Sequence, residues 1–143
     1  MKKIKLLLIL LAMSLAGCAQ SNGDTMKVET FTEYPSEIDG GSCAFYLNKR
    51  DKDKGCFFMV NDFCDTAYLK INGKMEVLKM KNTSIESTVE YSNSSYILTI
   101  IISEKKDTND ESYTLKGTIK VKSSKGATKS FPFIGECGCW NSL

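Results

Sequence analysis

The chain reads as all-β, a small antiparallel β-barrel or sandwich of about eight strands, and three patterns predict this class. First, apolar and polar residues alternate with period two. Tyr113, Leu115, Gly117, Ile119 and Val121 fall on one face of an extended chain, and Thr114, Lys116, Thr118 and Lys120 on the other, as a half-buried strand requires. Second, Asn72-Gly73 stands between two alternating runs, AYLKI and KMEVLKM. Both residues tolerate positive φ, which makes this pair the strongest short-range signal for a two-residue hairpin. Third, no segment combines helical periodicity with caps; the best candidate, 76–81, is short, uncapped and follows the hairpin turn directly.

In chain order, β-branched and aromatic residues bounded by turn formers predict strands near 27–34, 43–48, 56–60, 67–71, 76–80, 87–91, 96–102, 113–121 and 129–134. The run 96–102, YILTIII, is continuously apolar, which predicts a strand buried on both faces or central in the sheet. Val60-Asn61-Asp62 and Lys125-Gly126 read as turns, and 105–111, KKDTNDE, as a solvated loop between two long strands. No internal repeat or second domain is visible.

The first residues set an address. Lys2, Lys3 and Lys5 precede an apolar run over 6–12, and Leu15-Ala16-Gly17-Cys18 supplies small residues ahead of a cysteine. Basic head, apolar segment and small-residue cleavage site form a secretory signal, and this one resembles the bacterial lipoprotein class. That resemblance implies diacylation of Cys18, cleavage before it and a membrane attachment through the N-terminal lipid. The apolar run is too short to span a bilayer, which takes about 20 residues. The expected organisation is a signal over residues 1–17, a lipidated cysteine and polar tether over 18–25, and one β domain over 26–143. Ala19 follows the lipid cysteine, and by the same resemblance this fits an outer-membrane address in the cell envelope. The chain holds 19 basic and 17 acidic residues; three of the lysines lie in the signal, so the domain is nearly neutral and has no basic surplus for nucleic acid.

With Cys18 assigned to lipid, Cys43, Cys56, Cys64, Cys137 and Cys139 remain, an odd set of disulfide candidates for an exported chain. The simplest scheme bridges Cys56 to Cys64 across the 60–62 turn and Cys43 to Cys137 or Cys139, tying the start of the barrel to its end. The terminal Cys-Gly-Cys leaves open a redox pair. A metal half-site fits poorly, because structural zinc takes four ligands at wider spacing and the chain has no histidine.

The same lack removes the commonest general base and every Ser-His or Cys-His arrangement. Asp51 with Asp53 and Asp110 with Glu111 sit in hydrophilic stretches and read as solvated turns; no catalytic residue, cofactor or metal is expected. The aromatic residues Tyr34, Phe45, Tyr46, Phe57, Phe58, Phe63, Tyr68 and Trp140 read as core by default. Phe57 and Phe58 are the exception. Neighbours on a strand face opposite sides, so one of them must be exposed, covered from outside, or part of a binding patch.

The segments GSCAFYL, DTAYLKINGKMEVLKM, ESYTLKGTIKVKSSKG and the terminal GECGC together resemble small uncharacterised lipoproteins and envelope proteins of the Bacteroidetes. Two cysteines are usual in the early motif of that group; only Cys43 stands there in this chain. The hairpin AYLKINGKMEVL is also similar in cadence to the membrane-bound inhibitors of C-type lysozyme. The nearest segment to that family's inhibitory loop, Tyr91 to Tyr96, lacks the glycine. Two functions follow as expectations: a lipid-anchored, noncatalytic domain that binds a protein or glycan, and a thiol-active envelope protein using Cys137 and Cys139.

Overall fold

The computed structural model describes residues 25–81 and 87–139; Cys18, the signal and Trp140 lie outside them. Nine strands run β1 (Val28–Glu29), β2 (Gly41–Tyr46), β3 (Met59–Asp62), β4 (Thr66–Ile71), β5 (Lys74–Met80), β6 (Thr88–Ser92), β7 (Tyr96–Asn109), β8 (Ser112–Ser123) and β9 (Thr128–Cys139). One short helix, α1 (Lys49–Asp53), follows β2. Strands β2 to β9 close into an antiparallel barrel in the order β4-β3-β2-β9-β8-β7-β6-β5, with β5 returning to β4. Strand β1 lies outside the ring, on the edge of β4, where Val28 faces Ile71 and Glu29 faces Lys70.

Alternation decides what the barrel encloses. Phe45 of β2, Leu69 of β4, Leu78 of β5, Leu98 and Ile100 of β7, and Ile119 of β8 are all buried in one core. Phe133 meets Phe45 edge-on, with ring centres 5.0 Å apart, and Phe131 meets Phe58 at 4.8 Å. Each such side chain contributes on the order of 2 kcal/mol by leaving water, and aromatic contacts of this geometry add to it. Strand β8 keeps the alternation its sequence carries, with Leu115, Ile119 and Val121 inward and Lys116, Lys120 and Lys122 exposed.

Strand β7 meets the second of the two expectations for 96–102: it is central, paired with β6 and β8, while its outer face is open, with Ile101 44% exposed. Three other expectations change. The charged stretch 105–111 is mostly ladder, because β7 runs on to Asn109 and turns back at once into β8; cross-strand pairing overrides the low strand propensity of these residues. Gly117 permits the irregular register beside Ile102, since a Cβ there would lie 1.9 Å from the Ile101 carbonyl oxygen. The expected strand 27–34 shrinks to β1 plus a single bridge between Phe31 and Phe57. Finally, α1 was not foreseen. Its start is marked by Asn48, whose Oδ1 accepts from the Asp51 amide at 2.9 Å, an N-cap. Gly55 at φ +68° follows its end.

The Asn72-Gly73 turn connects β4 and β5 as expected, with φ of 51° and 77°, the signs a type I′ turn needs. Gly73→Val should destabilise the fold by about 1–3 kcal/mol, because a β-branched residue resists the left-handed region. Thermal unfolding of the variant checks this, and an unchanged midpoint would contradict the turn assignment.

Candidate ligand-binding face

On β2, Cys43 and Phe45 point into the barrel, so Ser42, Ala44 and Tyr46 must point out. These three outward residues are nevertheless buried, as are Val60 of β3 and Tyr68 of β4 on the same outer wall. Their cover is the connection between β1 and β2, residues 30–40, which lies across the outside of β2, β3 and β4 as a strap.

Local chemistry holds the strap down. Phe31 and Phe57 exchange both backbone hydrogen bonds, at 2.8 and 2.7 Å. The Tyr34 hydroxyl donates to Ser42 Oγ at 2.6 Å, and Pro35 is buried. The rings form a chain in which Phe57 touches Phe31, Tyr34 and Tyr46 at centroid distances of 5.7, 5.9 and 5.7 Å. Phe58, one residue on, is fully buried in the barrel. The doublet therefore divides between the two sides of the wall, with Phe57 in the outer aromatic cluster.

Two cavities open along the strap and share Tyr34. One, of about 430 Å³, lies between the strap and β2, with Tyr46, Phe57, Ile38, Asp39 and Glu136 around it. The other, of about 410 Å³, lies on the β4–β5 side, against Tyr68, Met75, Val77, Glu33 and Glu37. Met75 and Val77 are exposed by 37% and 46%. Glu136 comes from β9, where it lies opposite Ala44, and is ion-paired with Lys52 of α1 at 2.5 Å. Burial pushes the Tyr46 phenol above its ordinary pKa, helped by the Glu136 carboxylate and by Tyr34. Burial likewise raises Tyr68, with Glu37 the next cause. Both tyrosines thus remain neutral hydroxyls at physiological pH.

Other concavities are built differently. A smaller hollow of about 170 Å³ reaches the barrel interior beside Cys43, Asn61, Tyr91 and Leu115. Asn61 spans that interior: its Oδ1 accepts from the Cys43 amide at 3.2 Å, and its Nδ2 donates to the Tyr91 hydroxyl at 2.9 Å. Larger hollows lie beside the turns 93–95 and 124–126 and at the β7–β8 tip. Those are walled by solvated turn residues, and at the tip Lys105 already sits over the Tyr113 ring at 4.3 Å.

Of the cysteines, Cys43 and Cys137 are bonded, their Cα atoms 4.0 Å apart on directly paired positions of β2 and β9. Cys56 is half-buried and Cys64 and Cys139 are exposed, none of them bonded. The expected Cys56–Cys64 bridge fails because 60–62 is no turn. Val60, Asn61 and Asp62 lie within β3, so Cys56 stands before that strand and Cys64 after it, in the turn into β4 where its amide donates to Asp62 Oδ1 at 3.1 Å. Among the described residues, no three His, Cys, Asp or Glu side chains converge as metal ligands. Sequence reasoning singled out Tyr34, Tyr46, Phe57 and Tyr68 but placed most of them in the core, and it missed Asp39 and Glu136. The available signal was the run ETFTEYPSEID, residues 29–39, which carries four carboxylates and no basic residue. No family model, curated protein or solved structure matches the chain.

Desolvation holds Tyr91 neutral to about 12 against its ordinary 10. A raised phenol stabilises the fold fully below pH 10, and that contribution disappears as pH climbs through 12. Tyr91→Phe should cost about 1 kcal/mol at neutral pH through the lost Asn61 hydrogen bond. Over the same alkaline interval the wild type should lose about 2 kcal/mol that the variant keeps, so the gap should close and the order of stability reverse. Urea unfolding of both proteins across that interval provides the check, and a constant gap would contradict the burial of a neutral Tyr91.

Proposed function

We propose that this chain is a lipid-anchored, noncatalytic binding domain of the bacterial cell envelope, attached through Cys18 and presenting its strap face to a protein or glycan. The observation that carries the reading is the pair of cavities meeting at Tyr34 on the outside of a barrel whose own interior is filled. The lipobox at 15–18 supports the anchor, as does the likeness to small Bacteroidetes lipoproteins. An outer-membrane address and a relation to inhibitor-like barrels belong to the same proposal.

The path of the chain fits it. Residue 25 enters beside β1 and the Asn72-Gly73 turn, where the Lys27 carbonyl accepts from the Asn72 amide at 2.8 Å. A lipid tether would leave that end. The strap then runs along the side of the barrel towards the opposite end, where β2 begins and β9 finishes, clear of the anchor. Lys116, Lys120 and Lys122 stand in a row on the outer face of β8, an outer wall suited to water and costly in contact with hydrocarbon.

A second reading, thiol activity, draws on one feature. Cys139 is exposed and lies two residues beyond Cys137 on the same side of β9, next to the Cys43–Cys137 bond. The test separates the two. The purified protein should retain a partner from envelope extract or host fluid, and Tyr34→Ala should lose it while Cys139→Ser retains it. The reverse result would favour the thiol reading. Retention by both variants would reject the strap as the binding face.

A further inference from the structure

We infer that the strap face binds a basic, extended segment of a partner protein, with one arginine or lysine side chain entering each of the two cavities beside Tyr34. The inference rests on the proposed binding role of this face and names the chemistry it recognises.

Charge comes first. The two cavities are lined by Glu33, Glu37, Asp39 and Glu136, and by no lysine or arginine. Among the described residues, Lys52 pairs with Glu136 from the rim, and no ion pair neutralises Glu33, Glu37 or Asp39. The chain between Lys27 and Lys49 contains no basic residue at all. An anionic ligand would meet uncompensated repulsion there, whereas a cation meets carboxylates at the rim and aromatic faces within, a combination that holds ammonium and guanidinium groups.

Hydrogen-bonding capacity narrows the choice further. Carboxylates only accept. The side-chain donors around the cavities are the hydroxyls of Ser36, Tyr34, Tyr46 and Tyr68, and the Tyr34 hydroxyl is already given to Ser42. A sugar, whose hydroxyls both donate and accept, would leave much of its accepting capacity unmet. Lysine and arginine donate and never accept, which matches an acceptor-rich wall. Their aliphatic stems match the rest of it: Ile38 and Phe57 in one cavity, Met75 and Val77 in the other.

A protein is favoured over a free amine because there are two cavities with one shared wall. Alternate side chains of an extended peptide lie about 7 Å apart on the same side, so two of them can straddle Tyr34 while their backbone passes over it. A single small cation would fill one cavity and leave the other, with its exposed Met75 and Val77, unused.

Calorimetric titration of the purified protein tests this with a short peptide carrying arginine at alternate positions, its glutamate counterpart, spermidine and a neutral oligosaccharide. The arginine peptide should bind and the other three should not. Its affinity should fall about tenfold or more in the Glu33→Gln/Glu37→Gln/Asp39→Asn variant, whose substitutions are on exposed strap positions, and should weaken with added salt. Binding unchanged in that variant, equal binding of spermidine, preference for the oligosaccharide, or no binding of any probe would overturn the inference. The outcomes also separate it from the broader reading. A partner captured by the wild type, lost with Tyr34→Ala but kept by the triple variant, would leave the strap as a binding face for an uncharged ligand.

Discussion

Closure of this barrel depends on one pairing, β2 with β9. Every other pairing in the ring joins strands consecutive in the chain, so the ring would otherwise be an open meander with two exposed edges. Six positions of β2, Gly41 to Tyr46, pair with Cys139 to Ile134 of β9, and the Cys43–Cys137 bond lies within that ladder, joining residues 94 apart in sequence. In the chain-entropy model, a link across so long a loop restricts the unfolded chain by on the order of 4–5 kcal/mol, comparable to the whole stability of many small domains. The bond and the ladder act at the same place, so the entropy of bringing the ends together is reduced where the pairing is least local.

What closure does to the inside explains what happens outside. An eight-stranded ring has just room for its own side chains, and here Phe45, Phe58, Phe131, Phe133 and the aliphatic residues of β4 to β8 take that room. The Asn61–Tyr91 bond satisfies the polar groups they enclose, as buried polar groups require. On the proposed reading, recognition therefore falls to the outer wall. The same alternation that sends Phe45 inward sends Tyr46 outward, and the strap turns that outer stripe into a walled groove. Glu136 illustrates the coupling: it is placed at the groove by the β2–β9 register, opposite Ala44, and held by Lys52 of the helix that β2 leads into.

Much of the ring was legible because strands and hairpins are local events. The β8 alternation, the Asn72-Gly73 turn and the divided Phe57-Phe58 doublet follow from period two and backbone sterics alone. Sidedness was harder. Tyr46 and Tyr68 carry the same apolar signal whether they face a core or an outer groove, and only the path of the strap distinguishes the two. Polar residues misled in the opposite direction. Val60-Asn61-Asp62 resembles a turn, yet Asn61 is a buried strand residue because Tyr91 and the Cys43 amide occupy its amide group. KKDTNDE resembles a loop, yet pairing with β8 holds most of it extended. Cys56 and Cys64 were matched on the strength of that absent turn. The carboxylate of Glu136 joins those of the strap from nearly one hundred residues away, a meeting that local pattern cannot reveal.

The closure account is tested most directly by peptide mapping of the protein digested without reduction, after free thiols are alkylated. The account predicts a peptide containing Cys43 linked to one containing Cys137, with Cys56, Cys64 and Cys139 recovered alkylated. A Cys56–Cys64 link, or a Cys137–Cys139 link with Cys43 alkylated, would contradict it.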